Sequence, residues 1–187
     1  TVFSSPFDET AVDFLETLDC PAYKIASFEA MDLPLIRKAA ATGKPLIVST
    51  GMVTPDEIDE LMAMLSGIGA DQVALLHCVS AYPAPIEASN IRSIPELAAR
   101  YDAVIGLSDH TPGTSVAVAA VALGAAVIEK HVCLARADGG VDSAFSLEPS
   151  ELGALVTDCR NAWAALGEAH IGKQSAAEPS IVFRRSL

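Results

Sequence analysis

Short β-branched runs alternate along the chain with stretches whose apolar positions recur at helical spacing. The runs 22–27 (AYKIAS), 45–50 (PLIVST), 73–78 (VALLHC), 104–111 (VIGLSDHT) and 127–132 (VIEKHV) predict strands, and residues 1–7 predict the end of another before a Pro-containing loop. Between them, Val12, Phe14, Leu15 and Leu18 give residues 8–18 a helix period, with Asp8 as N-cap. Asp32 caps a second helix that runs to Ala41 and is ended by Gly43. Thr54, Pro55 and Glu57 open a third, to about Ser66. Further helices are predicted around 94–101, from Thr114 to Ala126, and over 149–166 before Gly167. Trp163 and the Ala-rich stripe around it are expected on the core face of the last helix. Six strands alternating with six helices imply parallel βαβ units.

Nearly every strand ends in polar residues: Lys24 and Ser27, Ser49 and Thr50, His77 and Ser80, Ser108 to His110, Lys130 and His131. A doubly wound sheet concentrates its site at one switch point, whereas polar groups at the same end of every strand fit a (β/α)8 TIM barrel. Six units are two short of eight, so the fold expected is a partial barrel. His110 and His131 stand one βα unit apart at equivalent strand ends. Such a pair either shares a divalent metal through imidazole nitrogens or is two unrelated histidines. Lys24 interrupts an apolar strand, which is costly unless it faces a wet anionic site or is paired. With Ser27, Ser49 and Ser108 it would surround a phosphate or carboxylate. Glu29 and Asp142, in loops after strands, suit hydrogen bonding to sugar hydroxyls or moving a proton. His77 and His170 read as packed or surface histidines.

Composition narrows the class. The chain has 187 residues, 51% of them hydrophobic, enough for one domain with a sizeable core. A net charge of −12 without a basic cluster argues against nucleic acid as partner, yet leaves an anionic substrate possible where a lysine or metal sets the local field. Cys20, Cys78, Cys133 and Cys159 lack metal or disulfide-scaffold spacing and read as reduced, packed thiols of a cytoplasmic protein. The longest uncharged stretch, 111–128, contains Pro112, Gly113 and Gly124 and reads as a buried helix and strand rather than a membrane span. No Gly-x-Gly-x-x-Gly or P-loop pattern points to a nucleotide.

The runs FSSPFD, YKIASFE, GKPLIVSTGM, CVSAYPAP, GLSDHT, ALGAAVIEKH and DSAFSLEP, in this order, resemble the sialic acid synthase family. Within it, YKIASFE, RADGGVDSAFSLEP and the terminal VFRRSL are most similar to the pseudaminic acid synthase branch. Sialic and legionaminic branches more often carry Gly-Glu where this chain has Phe28-Glu29. The resemblance implies condensation of phosphoenolpyruvate with an N-acylated amino sugar to a nine-carbon acid, with release of phosphate. It puts phosphoenolpyruvate against Ser5, Lys24, Ser27, Ser49, Ser80, Tyr82 and Ser108, and a Mn2+ or Mg2+ ion on His110 and His131. Glu29 and Asp142 match positions that hold the acceptor sugar, and Glu29, Lys24 and His131 those closest to the chemistry. Ser5 stands where Thr is common, and Ser80 where Asn is common.

The resemblance also implies what lies beyond the chain. Residues 1–170 would be strands three to eight of the barrel, and 171–187, with Arg184 and Arg185, the start of a linker to an antifreeze-protein-like domain exchanged within a homodimer. Such a piece alone would be inactive, with open edges near residues 2–4 and 127–131. The rival within the family is a sialic or legionaminic acid synthase; the rival outside it is a non-catalytic sugar-phosphate-binding barrel.

Overall fold

The computed structural model describes residues 1–185; Ser186 and Leu187, the end of the VFRRSL run, lie outside the described residues. Five strands form one parallel sheet in sequence order: β1 (Tyr23–Ile25), β2 (Leu46–Ser49), β3 (Val73–Cys78), β4 (Val104–Asp109) and β5 (Val127–Lys130). Among the described residues six α-helices lie before, between and after them: α1 (Glu9–Thr17), α2 (Leu33–Ala40), α3 (Pro55–Gly67), α4 (Ser93–Arg100), α5 (Ser115–Ala122) and α6 (Pro149–Leu166). The result is an open, parallel half-barrel. Among the described residues β1 and β5 are not paired with each other.

The helix starts follow from their caps. Asp8 accepts from the Ala11 amide and Asp32 from the Leu35 amide. Thr54 and Glu57 close a reciprocal capping box, so two otherwise orphaned amide donors are satisfied at the start of α3.

Register sorts side chains between the two faces. Tyr23 pairs with Leu46 and Leu46 with Val73, while Ile25, Val48, Leu75 and Ile105 form the next row. All seven belong to the buried core shared with Leu35, Ile36, Ile58, Leu61, Leu65 and Ile94. The period-two alternation of strands then turns Lys24, Ser49, Cys78, Ser108 and Glu129 to the opposite, concave face. Gly106 lies on that face because a Cβ there would meet Val127 O at 2.5 Å and Leu76 Cδ2 at 2.6 Å.

Three expectations change. The strand expected within residues 1–7 is a single parallel bridge from Ser4 to Tyr23, with Lys24 N donating to Ser4 O. Pro6 lacks the donor needed to extend the ladder, so five strands stand where six were expected. The fifth helix stops at Ala122, because Leu123 and Gly124 turn the chain and Gly124 adopts φ +100°. Trp163 is 71% exposed and not on a core face, since α6 buries only Leu155 fully.

Candidate active site

The ends of the five strands surround a cavity of about 250 Å³. Ligand pockets usually fall near 300–1,000 Å³, so this one suits a molecule of a few carbons. Larger grooves of about 830 and 530 Å³ lie among the helices, beside α4–α5 and α3–α4. Neither gathers a lysine, paired histidines and hydroxyls, as the small cavity does.

One side of the cavity is cationic and rich in hydroxyls. Lys24, only 9% exposed, donates from Nζ to Ser49 Oγ at 2.9 Å and to Ile25 O at 3.1 Å. Its third direction points to Glu129 Oε1, 3.6 Å away, which also accepts from Ser108 Oγ at 2.6 Å. Ser5 and Ser27 line the same cavity, and Ser27 Oγ lies 2.6 Å from Ser80 Oγ. Ser80 is thus held behind Ser27 and is not part of the lining. The close passage of the chain after β2 requires Gly51, whose Cβ would fall 2.7 Å from Ser80 Oγ.

The other side is aromatic. His110 and His131 each follow their strand by one residue, and their ring centroids lie 5.2 Å apart. His110 Nδ1 is 2.8 Å from Val79 O. A carbonyl only accepts, so Nδ1 carries the proton and Nε2 keeps its lone pair. His131 Nδ1 faces Asp142 Oδ2 at 3.3 Å, which favours the same tautomer. Burial, reinforced by His131, lowers the His110 pKa despite the opposing pull of the Val79 carbonyl. Nδ1 of each ring is thus engaged, which leaves Nε2 of each for a ligand. Tyr82 packs 4.3 Å from His110, and Phe145 5.0 Å from His131, centroid to centroid. Burial raises the Tyr82 pKa, so its phenol stays protonated.

Eight of the residues nominated from sequence line the cavity together: Ser5, Lys24, Ser27, Ser49, Tyr82, Ser108, His110 and His131. Asp142 reaches it through His131. Glu29 lies outside the lining, half-buried in the turn after β1, with Oε2 shielded and without a hydrogen-bond partner. Among the described residues no cluster of three or more His, Cys, Asp or Glu converges on one metal position. His110 and His131 are the two imidazoles of this cavity.

The NeuB family pattern matches residues 1–171. The chain belongs to the NeuB family. It is 43% identical over 167 residues to a pseudaminic acid synthase of Helicobacter pylori, covering 89% of this chain and 49% of the relative. It is 42% identical over 188 residues to an N,N'-diacetyllegionaminic acid synthase of Campylobacter jejuni, covering 98% and 56%. The chain thus spans about half the length of the curated relatives it matches. Among solved structures, an N-acetylneuraminic acid synthetase from Leptospira borgpetersenii in complex with citrate superposes with a TM-score of 0.88 at 34% identity, covering 98% of this chain and 64% of that one.

Four elements of this NeuB cavity escaped the sequence reading: Glu129, the Cys78 thiol, the Val79 carbonyl and Phe145. Glu129 was accessible to it. In VIEKHV, alternation that turns His131 inward also turns Glu129 inward and Lys130 outward. Cys78 follows by register with Ser108, and burial raises its pKa, which keeps it a thiol. Val79 O and Phe145 arrive from loops, for which no period exists.

Proposed function

We propose that the full-length protein is a nonulosonic acid synthase. It condenses phosphoenolpyruvate with an N-acylated amino sugar and releases phosphate. The observation carrying this reading is the division of one small cavity between the Lys24–Ser49–Ser108 cluster and the His110–His131 pair. A three-carbon molecule bearing a carboxylate and a phosphate meets a buried ammonium and oriented hydroxyls on one side. Ser5, Ser27 and Ser49 donate to its oxygens, and a bound anion takes over part of the Lys24 contact now made to Glu129. Tyr82 and Phe145 close the other side against bulk water.

The donor set fits a divalent ion. Two imidazoles whose Nδ1 atoms are already engaged suit Mn2+ better than Mg2+, which prefers an all-oxygen shell and keeps its waters. His110 and His131 would hold such an ion, which would supply Lewis-acid polarisation of the open-chain sugar's aldehyde. The chain's own groups do the rest. Lys24 and the serines hold phosphoenolpyruvate so that its carbon 3 faces the aldehyde carbon, and a C–C bond forms as the aldehyde oxygen gains a proton. Water adds to the cationic carbon 2, losing its proton to a carboxylate of the cavity such as Glu129. Phosphate then departs with the bridging oxygen, leaving the ketone. Asp142, beside His131, holds the acceptor's hydroxyl and amide groups, with Glu29 joining it in the complete barrel.

Within this class the pseudaminic branch is the reading we favour, on the YKIASFE and RADGG-x-DSAFSLEP runs. Legionaminic acid synthesis is the second reading, because the identities to the two branches, 43 and 42%, do not separate them. The remainder of the barrel and a partner subunit would complete the site in the full-length protein. Phosphate release from phosphoenolpyruvate, measured on the full-length protein with the six-carbon precursors of pseudaminic, legionaminic and N-acetylneuraminic acids in turn, tests the reading. Turnover with the first alone is expected. Turnover with another reassigns the branch, and none with any of the three defeats the synthase reading.

A further inference from the structure

Directly behind the two histidines lies a charged pair, on the opposite face of the same two strands. Asp109 and Lys130 are register partners, and Lys130 Nζ donates to Asp109 Oδ2 at 2.8 Å with the side chains 2 and 1% exposed. Lys130 Nζ also donates to Thr111 O. Asp109 Oδ1 in turn accepts from Thr111 N at 2.9 Å and Thr111 Oγ1 at 2.8 Å. Both oxygens of the carboxylate are thus used, and the chain on each side of His110 is tied to the residue before His131. Backbone bonds continue the frame outward: His110 O accepts from the Ala84 amide and His131 O from the Leu147 amide.

A buried ion pair is a poor way to stabilise a fold, because an apolar pair of similar volume often does as well or better. In some folds such a pair instead fixes one register or one local turn. Here the register fixed is that of His110 beside His131, since both follow their strands by one residue. We propose that Asp109 and Lys130 are positioning residues that hold the two imidazoles at the spacing needed to share one divalent ion. They touch neither substrate nor ion and act through the backbone of residues 109–111 and 130–131. The proposal rests on the metal reading above.

The test uses the full-length protein and two probes, Mn2+ titration followed by electron paramagnetic resonance and the visible spectrum of bound Co2+. The variant is the double replacement Asp109→Leu with Lys130→Met, chosen because apolar substitution of a buried pair tends to preserve folding. The expected result is a folded protein whose Mn2+ affinity falls tenfold or more, as for lost outer-shell support generally, with a changed Co2+ spectrum. Phosphoenolpyruvate affinity in the presence of EDTA should stay within twofold, since the Lys24 side is untouched. A merely structural pair would change thermal stability while leaving Mn2+ affinity and the Co2+ spectrum as in the wild type, and that outcome overturns the proposal. Should the double variant not fold, Asp109→Asn is judged by the same affinity and spectrum. A wild-type protein that takes up neither ion refutes the metal reading itself, and the proposal falls with it.

Discussion

At the ends of β1 and β2, Lys24 and Ser49 bond directly to each other, side chain to side chain, within the sheet. At the ends of β4 and β5 the two histidines are instead oriented from outside, by the Val79 carbonyl, the Asp142 carboxylate and the Phe145 ring. The first half of the cavity is carried by neighbouring strands and is as rigid as their ladder. The second half depends on two loops and on the buried Asp109–Lys130 pair beneath it. On the proposed function the preformed half takes the anion and the loop-dependent half the metal, so the two should respond differently to substitution.

The largest effect is expected from removing an imidazole. His131→Ala in the full-length protein should lower kcat/KM by at least about a thousandfold, some 4 kcal/mol of transition-state stabilisation. Phosphoenolpyruvate should still bind, as calorimetry without metal would show. Equal loss of both would mean that the two halves are not separable.

Lys24→Ala should do the reverse. Removing a buried charge-assisted contact worth roughly 1.5–3 kcal/mol weakens phosphoenolpyruvate binding about ten- to a hundredfold. Mn2+ affinity and binding of the acceptor sugar should hardly change. Comparable weakening of both substrates would identify a structural lysine.

A smaller effect is expected at the loops. Asp142→Asn leaves an amide facing His131 Nδ1 and should lower Mn2+ affinity about tenfold, the low end for outer-shell partners. Unchanged affinity would confine Asp142 to the acceptor. Smallest of all is the clamp at the edge of the metal half. Arg136 bonds both oxygens of Glu151, at 2.5 and 2.9 Å, and the Glu148 amide adds a third bond. The Arg136 hydrogen bonds, then that amide, hold the Glu151 pKa down at about 2. Because the folded value lies below the unfolded one, near 4.5, the clamp's contribution is fully present above that pH. It is lost as pH falls from roughly 4.5 towards 2. The Glu151 side-chain carboxyl shift should therefore titrate near 2 and move up in Arg136→Gln; a midpoint near 4.5 in the unaltered protein would show no clamp.

The same contrast explains how much could be read from the chain. The strands β1 to β5, the six helices and the anion half follow from alternation, caps and strand-end hydroxyls, all of which are local signals. Residues 1–7 misled because a β-like run is only a strand if its partner and donors exist, and Pro6 removes one donor. Trp163 misled because an apolar residue at helical spacing marks a core face only where something packs against it. Lys130 and Asp109 were counted among polar strand ends, although alternation places them opposite the histidines. Glu129 was visible by that rule, and Phe145 by none, since its place is set by the fold of the 131–148 loop back onto Val132 through Leu147.

The central claim is that this cavity joins phosphoenolpyruvate to a sugar aldehyde with cleavage at the C–O bond. Phosphoenolpyruvate carrying 18O at the bridging position, turned over by the full-length protein with the pseudaminic acid precursor, tests it most directly. Mass spectrometry should find the label in released phosphate, and only when the acceptor and a divalent ion are both present. Label retained in the nine-carbon product, or labelled phosphate released without acceptor, would contradict the account.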